Sequence, residues 1–284
     1  MKTMLTAMIA PLALVAMPAM ADHHAALHPM ASDPAMDNAA PQSAVQDAGR
    51  TADAVRDIWR HPAETLAFFQ VKPGMTVIDY MPAGGWYTRV LVPYLGAQGR
   101  YIGLTPDAAR SDDARSAQYF AGLPGKFAQE LPKWNLAGAP VMTVASDAPD
   151  LAAYEGRVDR ALIFREMHNL FRSGLINNEL TRIRALLTDE GMLGIVQHRA
   201  GPSAPASYTE GSKGYLRQKD VVALVEAHGF DLVDSSEINA NPRDTANHPA
   251  GVWELSPNFS TKRNAELEPI GESDRMTLLF RKRS

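Results

Sequence analysis

Residues 71–103 read VKPGMTVIDYMPAGGWYTRVLVPYLGAQGRYIG, and the order of apolar runs and small residues within them decides the fold. Residues 75–80 are a short apolar and β-branched run, the composition of a parallel strand buried on both faces. Pro82, Gly84 and Gly85 interrupt it, and apolar residues return at helical spacing over 87–95. Residues 100–104 then read as a second strand. A strand that feeds a helix through small residues brings backbone N–H groups and a helix N-terminus to one point, where a polar ligand can sit.

The same alternation continues outward. Upstream, Pro62 suits the first turn of a helix carrying Leu66, Phe68 and Phe69. Downstream, the pattern predicts strands at Val141–Ala145, 158–165, 192–197, 230–234 and 276–280. Helices are predicted over 178–188 and 219–228, closed by Gly191 and Gly229. Residues 107–138 read as irregular to helical, 199–215 as a Gly/Pro/Ser-rich loop long enough for a lid or a disordered crossing, and 239–274 as a polar segment before the last strand. Strands alternating with helices predict an α/β three-layer sandwich with a mostly parallel sheet.

The first residues pair one early lysine with an apolar run over 4–17 and Ala19-Met20-Ala21, the pattern of a secretory signal peptide over 1–21. The run is short for a membrane span, so the expected product is a periplasmic or secreted chain with no stable membrane insertion. Residues 22–51, rich in Ala, Pro, Asp and Met, read as a disordered leader, and 52–284 as the folded domain. The absence of Cys excludes disulfides, thiolate catalysis and Cys-ligated zinc. With 28 Lys+Arg against 32 Asp+Glu, dispersed along the chain, nothing in the charge points to nucleic acid. Cleavage after Ala21 would leave Asp22-His23-His24 at the amino terminus. A free amine, two backbone amides and the His24 imidazole make a square-planar nitrogen set suited to Cu(II), with His23 beside it. The other reading is a polar tail with incidental histidines.

Four phrases, RHPAETLAFFQVKPGMTVIDYMPAGGWYTRVLVPYLG, FREMHNLF, DEGMLGIVQHRAG and GESDRMTLLFRKR, carry a resemblance to exported methyltransferase-like proteins of the class I S-adenosylmethionine-dependent fold. The resemblance spans roughly residues 55–283 and implies a Rossmann-like, seven-stranded sheet whose last strand is antiparallel. It implies S-adenosylmethionine as cofactor and a small molecule as methyl acceptor. The family's cofactor turn, acid-x-Gly-x-Gly-x-Gly, maps onto Asp79 as the acid, Met81 and Ala83 in place of the first two glycines, and Gly85 as the last, with Gly84 adding one small residue. Thr105 stands where a carboxylate would accept the ribose hydroxyls, with Asp107 two residues on. Ser146-Asp147-Ala148 resembles the adenine-side motif, with an ordinary Asp turn as the other reading.

Ligands of an open parallel sheet sit beyond the carboxyl ends of its strands. Arg165, His168 and Asn169 follow the fourth strand and His198 the fifth. Arg165 suits either a substrate carboxylate or phosphate or a structural ion pair. His168 suits either a general base or a hydrogen-bonded loop histidine, with Asn169 to orient an acceptor. Trp86 and Tyr87 read as packing residues. Two functions compete: a methyltransferase of the envelope, and a non-catalytic ligand- or metal-binding periplasmic protein on the same fold. An exported chain would meet little of a cofactor whose fixed positive charge crosses a bilayer poorly.

Overall fold

A strand buried on both faces needs apolar residues at successive positions, and β1, Thr76–Tyr80, has four buried residues in five. The computed structural model describes residues 39–283. The stretch read as a signal peptide, most of the leader, and His23 and His24 lie outside the described residues. β1 pairs in parallel with β2, Arg100–Thr105, and with β4, Val158–Phe164. β3, Val141–Ala145, and β5, Leu187–His198, extend the two sides, and β6 and β7 are Phe230–Ser236 and Arg275–Lys282. The seven strands lie in the order β3-β2-β1-β4-β5-β7-β6. β7 runs antiparallel to both neighbours, as the resemblance implies.

Alternation along the strands sorts the core into two layers. On one face Ile78, Tyr80, Ile102, Ile163 and Leu193 pack with Leu180 and Ile183 of the helix Ile176–Leu186 and Val221 and Val225 of the helix Gln218–Ala227. On the other, Val77, Tyr101, Leu162 and Leu279 meet Leu66 of the helix Pro62–Phe68 and Val90 and Leu91 of the helix Thr88–Leu95. The result is a three-layer α/β sandwich.

Three boundaries differ from the sequence reading. Residues 39–51, assigned to the leader, contain the helix Ala39–Val45, whose Ala44 is buried in the second core layer. Arg50 explains the docking: its guanidinium donates to Val45 O at 2.6 Å, pairs with Asp57 at 3.0 Å and lies 5.0 Å from the Trp86 ring. Residues 187–191, read as a helix end and stop, belong to β5, where Leu187 pairs with Val158. Ahead of β7, residues 239–274 are built of short helical turns, with buried Asn241, Asp244, Glu254 and Glu272. Asp244 accepts from the Tyr215 hydroxyl at 2.8 Å, so the 199–215 crossing is anchored on that segment. Among the described residues no helix is long and apolar enough to cross a membrane.

The two faces set different costs for truncation. Leu162→Ala, fully buried at the sheet centre, is expected to lower the unfolding free energy by about 2–5 kcal/mol. Val233→Ala, 46% exposed on the edge strand, should change it by less than about 0.5 kcal/mol in the same urea titration.

Candidate functional site

The carboxyl ends of β1, β2, β4 and β5 meet at one edge of the sheet, and the turn after β1 organises it. Met81 and Ala83 hold φ values of 52° and 47°, and Gly85 holds 71°. Two side-chain-bearing residues thus keep a left-handed backbone that glycine adopts freely. The turn is pinned from outside. Arg89 donates to Gly84 O at 2.9 Å and pairs with Asp53, and its guanidinium lies 4.9 Å from the Trp134 ring. A Cβ on Gly85 would sit 2.1 Å from that ring, whereas one on Gly84 would meet nothing within 4 Å. Gly84 therefore faces open space and Gly85 faces protein.

Two neighbouring cavities share this turn. The smaller, about 210 Å³, is lined by Met81, Thr105, Leu123, Lys126 and Phe127 together with Pro82, Ala83 and Gly84. The larger, about 630 Å³, has Pro82, Ala83 and Gly84 on one side and Arg165, Glu166, His168, Asn169 and His198 on another. Val252, Trp253 and Pro257 from the segment before β7 line it as well. No local pattern marks this polar segment as a cavity wall, because it reaches the site only once β7 returns between β5 and β6.

Asp79 is buried beneath the turn and accepts from the Tyr101 hydroxyl at 2.8 Å, which also shares a 2.7 Å hydrogen bond with Thr88. Burial pushes its carboxyl up to about 7, against the Tyr101 hydrogen bond and the Arg165 charge, which pull it down. Asp79 therefore supports the turn from below and lies outside the lining of both cavities.

The ribose position is less equipped. Thr105 is buried with its hydroxyl donated to Val144 O at 3.3 Å. Asp107 is engaged as a cap, accepting from the Ala109 N–H at 3.0 Å. Asp147 is exposed and Ala148 half-buried, and neither lines either cavity. The buried carboxylate near that turn is Glu179, which accepts from Ser146 Oγ at 2.8 Å and from the Asp107 N–H at 3.1 Å.

Arg165, His168, Asn169 and His198 do come together. Arg165 sits at φ 65°, an unusual conformation for a side-chain-bearing residue, and lines the larger cavity. His168 is buried within 3.4 Å of the Gln197 amide, and burial pulls its imidazole down to about 4. Burial, then the neighbouring His168 and Arg165, also lowers His198, which shares a 2.5 Å hydrogen bond with Ser273. Both rings are therefore neutral at pH 7, and His168 is a poorer proton acceptor than its ordinary value suggests. Glu166, absent from the sequence-based set, fits that task better. Burial raises its carboxyl to about 7, and Asn169 donates to it at 2.7 Å. An acidic residue two positions before a candidate base was the only signal for it. Tyr87 is stacked on Phe164 with ring centroids 3.5 Å apart, whereas Trp86, largely buried, also lines the larger cavity and donates to Asp53 O at 3.3 Å. Among the described residues no cluster of three or more His, Cys, Asp or Glu could hold a metal.

Two measurements check these assignments. Gly85→Ala should cost about 2 kcal/mol or more in unfolding free energy, from the Trp134 clash and the positive φ. Ala83→Gly, which removes a left-handed side chain at φ 47°, should cost no more than about 0.5 kcal/mol. Second, a carboxyl raised on folding contributes fully below its unfolded value and loses that contribution as pH rises through its folded value. Asp79 moves from 3.8 to about 7, so its own contribution to stability should fall between about pH 4 and pH 7, against the rise that the lowered His168 and His198 give as they lose their protons. The difference in unfolding free energy between the wild type and Asp79→Asn in urea titrations should therefore shrink as pH rises from about 4 to 7, the contributions of Glu166, Glu179 and the two histidines being common to both chains.

No protein-family model and no curated protein matches the chain. Solved structures do match. A chain of the complex between the Haloferax volcanii Trm112 methyltransferase activator and a candidate methyltransferase superposes with a TM-score of 0.50 at 12% identity, over 86% of this chain and 98% of that one. A SAM-dependent methyltransferase from Aquifex aeolicus gives 0.46 at 17% identity, over 72% and 94%. The Burkholderia thailandensis 1,6-didemethyltoxoflavin-N1-methyltransferase, solved with S-adenosylhomocysteine, gives 0.46 at 17%, over 87% of each chain. At these identities the likeness is one of architecture: the chain has the Rossmann-like methyltransferase fold.

Proposed function

We propose that the chain is an S-adenosylmethionine-dependent methyltransferase of the bacterial envelope acting on a small molecule. The observation that carries this reading is the left-handed turn at Met81 and Ala83, kept without the usual glycines and placed between two joined cavities. The residues present fit the cofactor in volume and in lining. Leu123, Phe127 and Met81 offer apolar contact for a purine in the smaller cavity, and the open side of Gly84 lets a ligand approach the backbone. When bound, the cofactor supplies an electrophilic methyl group.

Methyl transfer asks mainly for alignment and for removal of a proton from the acceptor. Glu166 is placed to take that proton, because its carboxyl sits near 7 and Asn169 fixes one of its oxygens. His168 supports the same wall as a neutral ring, and Arg165 supplies positive charge beside it. The envelope location rests on the amino-terminal sequence pattern alone.

A second reading, a non-catalytic binding protein, draws on Thr105 and Asp107. Both are committed to the protein itself, so the sugar hydroxyls meet no free carboxylate there. Thermal shift of the purified chain with S-adenosylmethionine and S-adenosylhomocysteine separates the two. Ligand at a hundredfold excess over Kd should stabilise the fold by about 2.7 kcal/mol and raise Tm by several degrees. Met81→Gly should tighten binding by clearing the smaller cavity. No shift at millimolar ligand for either chain rejects the methyltransferase reading.

A further inference from the structure

The larger cavity is unevenly charged. Arg56, Arg60 and Arg275 all direct their guanidinium groups at the single carboxylate of Glu272, at 2.5, 3.1 and 3.1 Å. Arg60 reaches it only through Nε. Its Nη1 and Nη2 are buried and have no hydrogen-bond partner among the described residues, although the side chain is 2% exposed. They lie over the Trp86 ring, with the guanidinium carbon 4.7 Å from its centroid. Arg165 lines the same cavity, half-buried, with no side-chain hydrogen bond or ion pair among the described residues. Of the other acids in the lining, Asp53 pairs with Arg89, and Glu166 follows Arg165 in sequence and accepts from the Asn169 amide.

Buried guanidinium nitrogens left without acceptors are costly, and a planar donor fork matches the two oxygens of a carboxylate or phosphate. Three arginines share the Glu272 carboxylate, Arg60 with two Nη atoms unbonded, and Arg165 stands beside them without a side-chain hydrogen bond among the described residues, which leaves positive charge for a ligand to balance. The same cavity also has apolar and aromatic lining from Val252, Trp253, Pro257 and Tyr119. At about 630 Å³ the cavity has room for far more than a bare inorganic ion.

We propose that Arg60 and Arg165 form an oxyanion site for an organic ligand, whose apolar body rests against Trp253 and Pro257. The methyl acceptor is then a small carboxylate- or phosphate-bearing molecule. The assignment to the acceptor rests on the methyltransferase reading, while the oxyanion site stands on the cavity itself.

Calorimetry of the full chain at low ionic strength, with inorganic phosphate and benzoate as probes, tests it. At least one probe should bind saturably, and the one that binds better tells phosphate from carboxylate recognition. Arg165→Gln, which breaks no side-chain hydrogen bond or close ion pair among the described residues, should weaken that binding about tenfold or more. Lys219→Gln, an exposed charge on a distant helix, should leave it unchanged. Failure of both probes to bind, or equal binding by wild type and Arg165→Gln, overturns the site. Repeating the titration with S-adenosylhomocysteine bound separates the two claims. Retained probe binding supports the acceptor site, and loss assigns the arginines to the cofactor's own carboxylate and overturns it. Arg165-dependent probe binding by a chain that takes up no S-adenosylhomocysteine keeps the oxyanion site and rejects the methyltransferase reading.

Discussion

The Glu272 carboxylate pairs with Arg56, Arg60 and Arg275 at once, and through Arg56 and Arg60 it joins parts of the chain more than two hundred residues apart. Burial alone would raise its pKa, but the charges of Arg275, Arg60 and Arg165 outweigh burial and hold it at about 2. A carboxylate so placed stays ionised across any physiological pH. It fixes the helix Asp57–Arg60 against the entry to β7, and that contact sets one wall of the larger cavity. Removing one partner of a buried ionic group leaves the others uncompensated, so this cluster tolerates little change.

The turn after β1 shows a second constraint, of conformation rather than charge. A ligand-binding turn of this kind needs a left-handed backbone at alternate positions, which glycine provides without cost. Here Met81 and Ala83 accept the strain, and Arg89, Asp53 and Trp134 hold the turn in place from behind. Tyr101 and Asp79 hold it from below. The backbone shape survives the loss of glycine because the surroundings over-determine it. What changes is the space in front of the turn, where Met81 lines the smaller cavity in place of a glycine.

The sheet was largely legible in the sequence. Val77, Ile78, Tyr101, Ile102 and Leu162 announce buried strands by composition, and the strand positions follow within a few residues. The boundary at residues 187–191 was misread because Gly191 mimics a helix stop, while pairing between Leu187 and Val158 wins over that local signal. The helix Ala39–Val45 was missed because its docking depends on Arg50 reaching Asp57 and Trp86, a tertiary contact with no local pattern. Of the candidate site, strand ends alone brought Arg165, His168, Asn169 and His198 to one place. Glu166 and Arg60 escaped notice because burial, which gives them their properties, cannot be read from their neighbours in sequence. Asp147 was read from a short common tripeptide, and tertiary packing leaves it facing solvent.

The antiparallel strand has a consequence for how the molecule is assembled. β7 lies between β5 and β6 and supplies every sheet hydrogen bond that β6 makes to another strand. Until the ribosome has delivered it, two strand edges stand open and the Glu272 anchor does not exist. An unfinished chain therefore exposes templates for adventitious pairing while holding no completed pocket. Ligand capture has to wait for Glu272 and β7, which favours keeping the nascent chain shielded until both have emerged.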